Sequence, residues 1–209
     1  MIAWYVHGWA FGPSLWESLA VRLRDLEPRI ADLGYFGAAN ALPPDETAIW
    51  ITHSFGTMRA LANMTPQCRA LVAINGFDRF ASADGFPGVP VRVLDRMIAA
   101  FDADPARVVS DFRRRCGMGA DVTSLNLSTL RRDLLALRDM DCRQQSAALS
   151  VPVLSLQGGA DPILPLAMRA AVLPDARHEV LADAGHLLPL EEPAWCAARI
   201  VEFVAGLAA

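Results

Sequence analysis

Lysine is absent from the chain: all 19 basic residues are Arg, against 23 acidic residues, for a net charge of −4. That mild acidity argues against general nucleic-acid binding, although a net charge conceals local patches. Cysteine is scarce, and Cys68, Cys116, Cys142 and Cys196 stand 48, 26 and 54 positions apart. No CxxC or other metal-ligand spacing is available, so free thiols in a reducing compartment and no metal are expected. No apolar run approaches the roughly 18 residues of a membrane span. The opening Met1 to Gly8 has neither the basic leader nor the long apolar stretch of a secretory signal. The expectation is a cytoplasmic protein with no membrane or nucleic-acid partner. Internal repeats and low-complexity tracts are also missing. What remains is a 209-residue chain with 53 % apolar residues, a length that buries roughly 70 % of its unfolded surface without staples.

Short β-branched or aromatic runs recur at Ala3 to Val6, Arg29 to Asp32, Ala48 to Thr52, Ala70 to Ile74, Val151 to Gln157 and Glu179 to Ala182. Helical patterns at Ser14 to Leu26, Gly56 to Met64, Leu164 to Ala171 and Pro193 to Ala205 lie between or after them. Strands alternating with helices predict an α/β fold with a mostly parallel sheet of about six strands. From Phe77 to Leu149 no strand is apparent. A Gly/Pro-rich entry, Asp84 to Pro90, leads into helical patterns at Val91 to Phe101, Pro105 to Cys116, Ser128 to Arg138 and Asp141 to Ala148. The expected organisation is a core of residues 1–76 and 150–209 with a helical cap, 77–149, inserted after the strand at Ala70 to Ile74 that follows the helix at Gly56 to Met64. Residues 92–143 hold 10 Arg against 8 Asp and no Glu, net +2, which leaves 9 Arg against 15 acids, net −6, for the rest. The insertion is the basic part of an acidic chain.

Ile49-Trp50-Ile51-Thr52-His53-Ser54-Phe55-Gly56 is an apolar strand running into a Ser and then a helical pattern. This is the layout of a nucleophile elbow, a sharp turn that lifts the hydroxyl above the sheet edge beside a helix N-terminus. The usual pattern is G-x-S-x-G, and Thr52 replaces its first Gly. A serine hydroxyl is a weak nucleophile near neutral pH and needs an imidazole to take its proton and a carboxylate to orient that imidazole. Asp161, in the turn Gly158-Gly159-Ala160-Asp161-Pro162, and His186, in Ala184-Gly185-His186, are the candidates. Asp175 and Asp183 are alternative acids, but they lack the tight Gly/Pro turn. The first strand ends in His7-Gly8-Trp9, so the backbone N–H groups of Trp9 and Phe55 are candidate oxyanion donors. His7 is expected to brace that loop, His53 to point into the core or cap interface, and His178 to sit at the surface.

With these segments in the order Ser, Asp, His, the chain resembles the α/β-hydrolase superfamily over nearly its whole length. Ala73-Ile74-Asn75-Gly76, Ala83 to Pro90 and Phe112 to Gly117 further resemble segments of the pimeloyl-[acyl-carrier protein] methyl ester esterases of biotin synthesis. The resemblance implies hydrolysis of a methyl ester without a cofactor, and a cap that binds the acyl chain and an acidic acyl carrier protein. Phe77, Phe86, Met97, Phe112 and Leu187 are then candidates to line an acyl tunnel. Arg96, Arg107, Arg113, Arg114 and Arg115 are candidates to meet the carrier, since guanidinium groups form forks suited to carboxylate and phosphate. The superfamily's opening hairpin has no counterpart before His7, and Gly37 to Ala48 is short for the helix that usually precedes the nucleophile strand. The sheet surface this leaves is a place another subunit could cover, with the oligomeric state open. Rival readings are a general carboxylesterase, thioesterase or carbon–carbon bond hydrolase of the same fold, and a hydrolase-like binding protein without catalysis.

Overall fold

The computed structural model describes residues 1–41, 43–119 and 123–207. Six strands, β1 (Ile2–Val6), β2 (Glu27–Ala31), β3 (Ala48–His53), β4 (Cys68–Ile74), β5 (Val153–Gly158) and β6 (Arg177–Leu181), form one sheet. Its order is β2-β1-β3-β4-β5-β6, and every pairing is parallel. Each strand expected from the sequence is present within two residues of its expected ends.

The central strands are buried on both faces, as parallel sheets require. Alternate residues feed two separate cores. Trp4, Val6, Trp50, Leu71 and Ala73 face one of them, whereas Tyr5, Ile49, Ile51, Val72 and Ile74 face the other. On the first face, the Trp4 and Trp50 rings meet edge-on at 4.5 Å between centroids. That core also takes Met58 and Leu61 from α2 (Phe55–Ala62). The second core is closed by Leu15 and Trp16 near the N-terminus and by Ile200 and Phe203 of the C-terminal helix.

Four helices lie between β4 and β5: α3 (Val91–Ala103), α4 (Pro105–Arg115), α5 (Leu127–Asp139) and α6 (Arg143–Ala147). Capping sets the starts of two of them. Asp104 accepts the Arg107 N–H at 3.1 Å ahead of Pro105, and Asn126 accepts the Thr129 N–H at 3.2 Å. Their apolar stripes, including Leu94, Ile98, Phe101, Val109, Leu130 and Leu134, join the first core. Asp133 is buried there because the Tyr35 hydroxyl and the Arg132 guanidinium both donate to it.

Two helical expectations shorten in the structure. In place of one helix over 14–26 there is a 3-10 turn, Pro13–Trp16, and a single-turn α1 (Glu17–Ala20). The chain then tightens through i−3 bonds, Arg22 N–H to Leu19 O and Leu23 N–H to Ala20 O, because Glu27 must already pair beside Ile2. Likewise the expected helix over 164–171 is reduced to α7 (Leu166–Arg169), since the N–H groups of Ile163 and Leu164 are donated to Asp161 and Pro165 stands at the cap. After β6 come α8 (Leu188–Glu191), which the sequence pattern did not suggest, and α9 (Pro193–Gly206). No described helix is long and apolar enough to cross a membrane. All four cysteines are free and buried, and burial pushes the Cys68 and Cys196 thiols up to about 12.

The start of α2 is pressed against the end of β1. A Cβ on Gly56 would lie 2.3 Å from the Val6 carbonyl oxygen and 2.6 Å from that of His7. Gly56→Ala is therefore expected to lower stability by about 1–3 kcal/mol through overpacking. Gly37→Ala, with nothing within 4 Å of the added carbon, should stay within about 0.5 kcal/mol of the parent. Urea midpoints of the two variants test this, and equal midpoints would contradict the close approach.

Candidate active site

Ser54 is the residue between β3 and α2. Its backbone sits at φ 54° and ψ −128°, a conformation that L residues rarely adopt and that costs about 1–3 kcal/mol unless the surroundings enforce it. Here they do. Gly56 lets α2 close on β1, the Ser54 N–H donates to Ile74 O at 3.1 Å, and Ser54 O accepts from the Thr57 N–H at 3.0 Å. Thr52, at the place of the usual glycine, is fully buried and satisfied: its hydroxyl lies 2.7 Å from that of Thr57 and donates to Val72 O at 3.1 Å. Gly76 makes room, since a Cβ there would fall 2.1 Å from Thr57 Oγ1.

The turn after β5 and the loop after β6 bring the other two candidates to Ser54. His186 Nε2 is 3.1 Å from Ser54 Oγ, and His186 Nδ1 is 2.8 Å from Asp161 Oδ2. Asp161 Oδ1 also accepts the N–H groups of Ile163 at 2.6 Å and Leu164 at 3.2 Å. Burial opposes ionisation of Asp161, but the attraction of His186 and these hydrogen bonds outweigh it and hold the carboxyl below its usual range. Asp175 and Asp183, the alternative acids, are both exposed.

The loops meet almost backbone to backbone. A Cβ on Gly158 would strike Gly185 O at 2.2 Å and Ala184 O at 2.5 Å. Asn75, at the end of β4, joins the same two segments. Its amide nitrogen donates to Gly185 O at 2.9 Å and His186 O at 2.8 Å, while its oxygen accepts the Gly158 N–H at 2.7 Å. His53 Nε2 adds a further donor to His186 O at 2.9 Å. Burial, then the nearby His186, pushes the His53 pKa down to about 3, so this ring is neutral. Sequence reasoning quoted Asn75 only as part of a similar segment, and its signal was no more than a polar residue at a strand end.

On the opposite side, Gly8 lies against the nucleophile, where a Cβ would come within 2.9 Å of Ser54 Cβ. Trp9 follows at the cavity wall, and Phe55 heads α2, whose first N–H groups have no partner within the helix. His7 braces this loop as expected: its Nε2 accepts the Leu33 N–H at 3.1 Å, which leaves Nδ1–H to donate to Gly8 O at 3.0 Å. His178 is exposed.

A cavity of about 580 Å³ opens above Ser54, its walls including Trp9, Phe77, Leu94, Met97 and Phe112. That size and apolar lining suit a small-molecule or acyl-chain site. Two expected lining residues are elsewhere. Phe86 is buried in the first core with the Arg143 guanidinium over its ring, and Leu187 is buried in the second core at the start of α8. Among the candidate arginines, Arg96, Arg107, Arg114 and Arg115 are exposed and Arg113 is half-buried, with Arg107 and Arg114 paired to Asp111. Arg113 and Arg115 instead donate to the Ala10 and Pro162 carbonyls. Among the described residues no three His, Cys, Asp or Glu side chains are grouped as a metal ion would need.

Comparison with known proteins agrees with this architecture. Pimeloyl-[acyl-carrier protein] methyl ester esterase from Pectobacterium atrosepticum is 24% identical, across 95% of this chain and 92% of that protein. The protein of the same name from Pectobacterium carotovorum is 28% identical across 77% of this chain and 76% of its own length. Among solved structures, an esterase from Exiguobacterium antarcticum superposes with a TM-score of 0.82 at 18% identity, covering 98% of this chain and 92% of that one. An enol-lactonase from Burkholderia xenovorans gives 0.76 at 16% identity, with 97% and 90% covered. A family model described as the alpha/beta hydrolase family matches residues 5–199, and the chain belongs to that family.

Proposed function

We propose that the chain is a serine carboxylester hydrolase whose substrate is the methyl ester of a pimeloyl group on an acyl carrier protein, as used in biotin synthesis. The observation that carries the hydrolase reading is the buried Ser54–His186–Asp161 hydrogen-bonded chain beneath an apolar cavity. The substrate is supported by the names of the curated relatives and by the net positive charge of residues 92–143. In this reading residues 77–149 act as the cap. The carrier lands on Arg96, Arg107 and Arg114, three of the four exposed members of the arginine set; the fourth, Arg115, donates to Pro162 O.

Each residue's part follows from its contacts. His186 Nε2 takes the proton of Ser54 as Oγ attacks the ester carbonyl, and Asp161 holds the Nδ1–H and stabilises the imidazolium. The N–H groups of Trp9 and Phe55 receive the oxyanion, each such donor contributing about 3 kcal/mol in the transition state. His186 then returns the proton to the departing methoxide, and methanol leaves. A water molecule, deprotonated by the same imidazole, then attacks the acyl carbon, the bond to Ser54 Oγ breaks, and His186 returns the proton to Oγ as the acid leaves. Neutral His53 suits this cycle, because a second cation 4.8 Å from the His186 ring would oppose imidazolium formation.

Ser54→Ala should reduce turnover of short p-nitrophenyl esters at least about 1000-fold with an unchanged melting temperature, and retained turnover would sink the hydrolase reading. Replacing Arg96, Arg107 and Arg114 together by Ala should raise KM for carrier-linked methyl pimelate about tenfold or more, by loss of long-range attraction. A small free methyl ester should be affected far less, and equal losses on both would count against a carrier substrate.

The depressed pKa of His53 also makes a stability statement. Between about 3 and its ordinary 6.5 the unfolded ring binds the proton that the folded ring refuses. Its contribution is therefore full above pH 6.5 and is lost at about 1.4 kcal/mol per unit as the pH falls below that. Asp161, also depressed, acts in the same direction at lower pH. Urea midpoints from pH 7.5 to 5 should fall more steeply for the parent than for His53→Gln, and parallel slopes would refute the assignment.

A further inference from the structure

The C-terminal turn of α4 enters the gap between the two loops that flank Ser54. Phe112 packs edge-on against Trp9 at 5.0 Å between centroids and against Phe11 at 5.9 Å. The next residue, Arg113, reaches to the turn that presents Trp9, and its Nη1 donates to Ala10 O at 3.0 Å. That turn is strained: Ala10 has φ 61°, and the Phe11 N–H closes it on Gly8 O at 3.3 Å. The guanidinium is itself fixed, stacked 5.4 Å over the Phe36 ring and donating from Nε to Gly119 O at 3.3 Å. Two positions on, Arg115 donates to Pro162 O at 2.8 Å, beside Asp161. Trp9 is held from a second helix as well, its indole N–H donating to Leu130 O of α5 at 2.9 Å.

We propose that Arg113 is a positioning residue for the oxyanion hole: by holding the Ala10 carbonyl it fixes the Ala10–Phe11 peptide, whose N–H donates to Gly8 O and so orients the Gly8–Trp9 peptide that carries the Trp9 N–H, and α4 forms part of the catalytic support. This rests on the serine-esterase reading above. It separates Arg113 from the carrier-facing arginines, because its effect falls on every ester, carrier-linked or free. Arg115 acts on the acid loop in the same sense. The Phe11 N–H bond to Gly8 O closes the turn at a positive φ, and the charged donor on the Ala10 carbonyl, among the stronger hydrogen bonds available, adds to its resistance to relaxation.

The test uses the full chain and p-nitrophenyl butyrate, a substrate that never meets a carrier. Arg113→Met keeps the apolar stem and removes the donors. It should lower kcat about 10- to 100-fold with KM changed less than about threefold, because a small misplacement of an oxyanion donor is felt in the transition state alone. A trifluoromethyl ketone, which adds to the serine and places its oxygen in the oxyanion hole, should lose affinity in proportion to kcat. Arg113→Lys, a single-point donor, should recover part of both. Arg138→Met, removing a cap arginine paired with Asp95 and Asp139, should change neither. Should the Met variant fail to fold, Arg113→Gln is read by the same two measurements.

A folded Met or Gln variant with parental kcat overturns the proposal. So does a fall in kcat without a matching loss of ketone affinity, or an equal fall in Arg138→Met. Turnover that survives Ser54→Ala overturns the esterase reading instead, so the two failures are distinguishable.

Discussion

An ionised carboxylate taken out of water is tolerable only when hydrogen bonds replace its hydration, and much of the C-terminal half of the site is arranged around supplying them to Asp161. Two come from the turn itself, through the Ile163 and Leu164 N–H groups, and the third is the His186 ring. The first two fix the chain after β5 and leave α7 short. The third requires the loop after β6 to come within backbone contact of Gly158, which excludes a side chain there. Once those segments touch, Asn75 satisfies the polar groups their meeting would strand. The imidazole is thereby pointed at a serine whose own backbone is held in an uncommon conformation from the other side of the sheet.

The sheet, its longer helices and the placing of Ser54, Asp161 and His186 on strand-end loops were readable because each rests on a local signal. Alternating apolar runs mark strands, and Gly/Pro turns mark the loops that present side chains at strand ends. Thr52 was legible as a departure from the elbow pattern, but not its accommodation, which depends on Val72 in the neighbouring strand, on Thr57 and on Gly76. Asn75 was illegible for the same reason, as its partners are 83 to 111 positions away. Phe86 and Leu187 show a different limit. A side chain that lines a cavity and one that fills a core are equally apolar, and only packing tells them apart.

Three consecutive arginines show a limit of direction rather than of distance. Successive residues of a helix point about 100° apart, so Arg113, Arg114 and Arg115 read as one basic cluster while facing three ways. Arg114 looks to solvent and Asp111, and its neighbours look to two loops of the sheet layer. Phe112, Arg113 and the Leu130 carbonyl join the inserted helices to the loop around Trp9. A helical insertion packed in this way lines the cavity above the serine and contacts the loop beside it.

The place of that insertion in the chain also bears on how the protein is made. Strands β4 and β5 are neighbours in the sheet, yet Ile74 pairs with Leu156 across the whole set of four intervening helices. At a synthesis rate of about 5–20 residues per second, roughly 4–16 s pass between the emergence of one strand and of the next. Until β5 is made, β4 would stand at the edge of any sheet formed by β2, β1, β3 and β4. Such an edge invites pairing with other chains. The helices α3 to α5, which carry Leu94, Ile98, Phe101, Val109, Leu130 and Leu134 into the first core, are therefore all made before the strand that completes the sheet beside them.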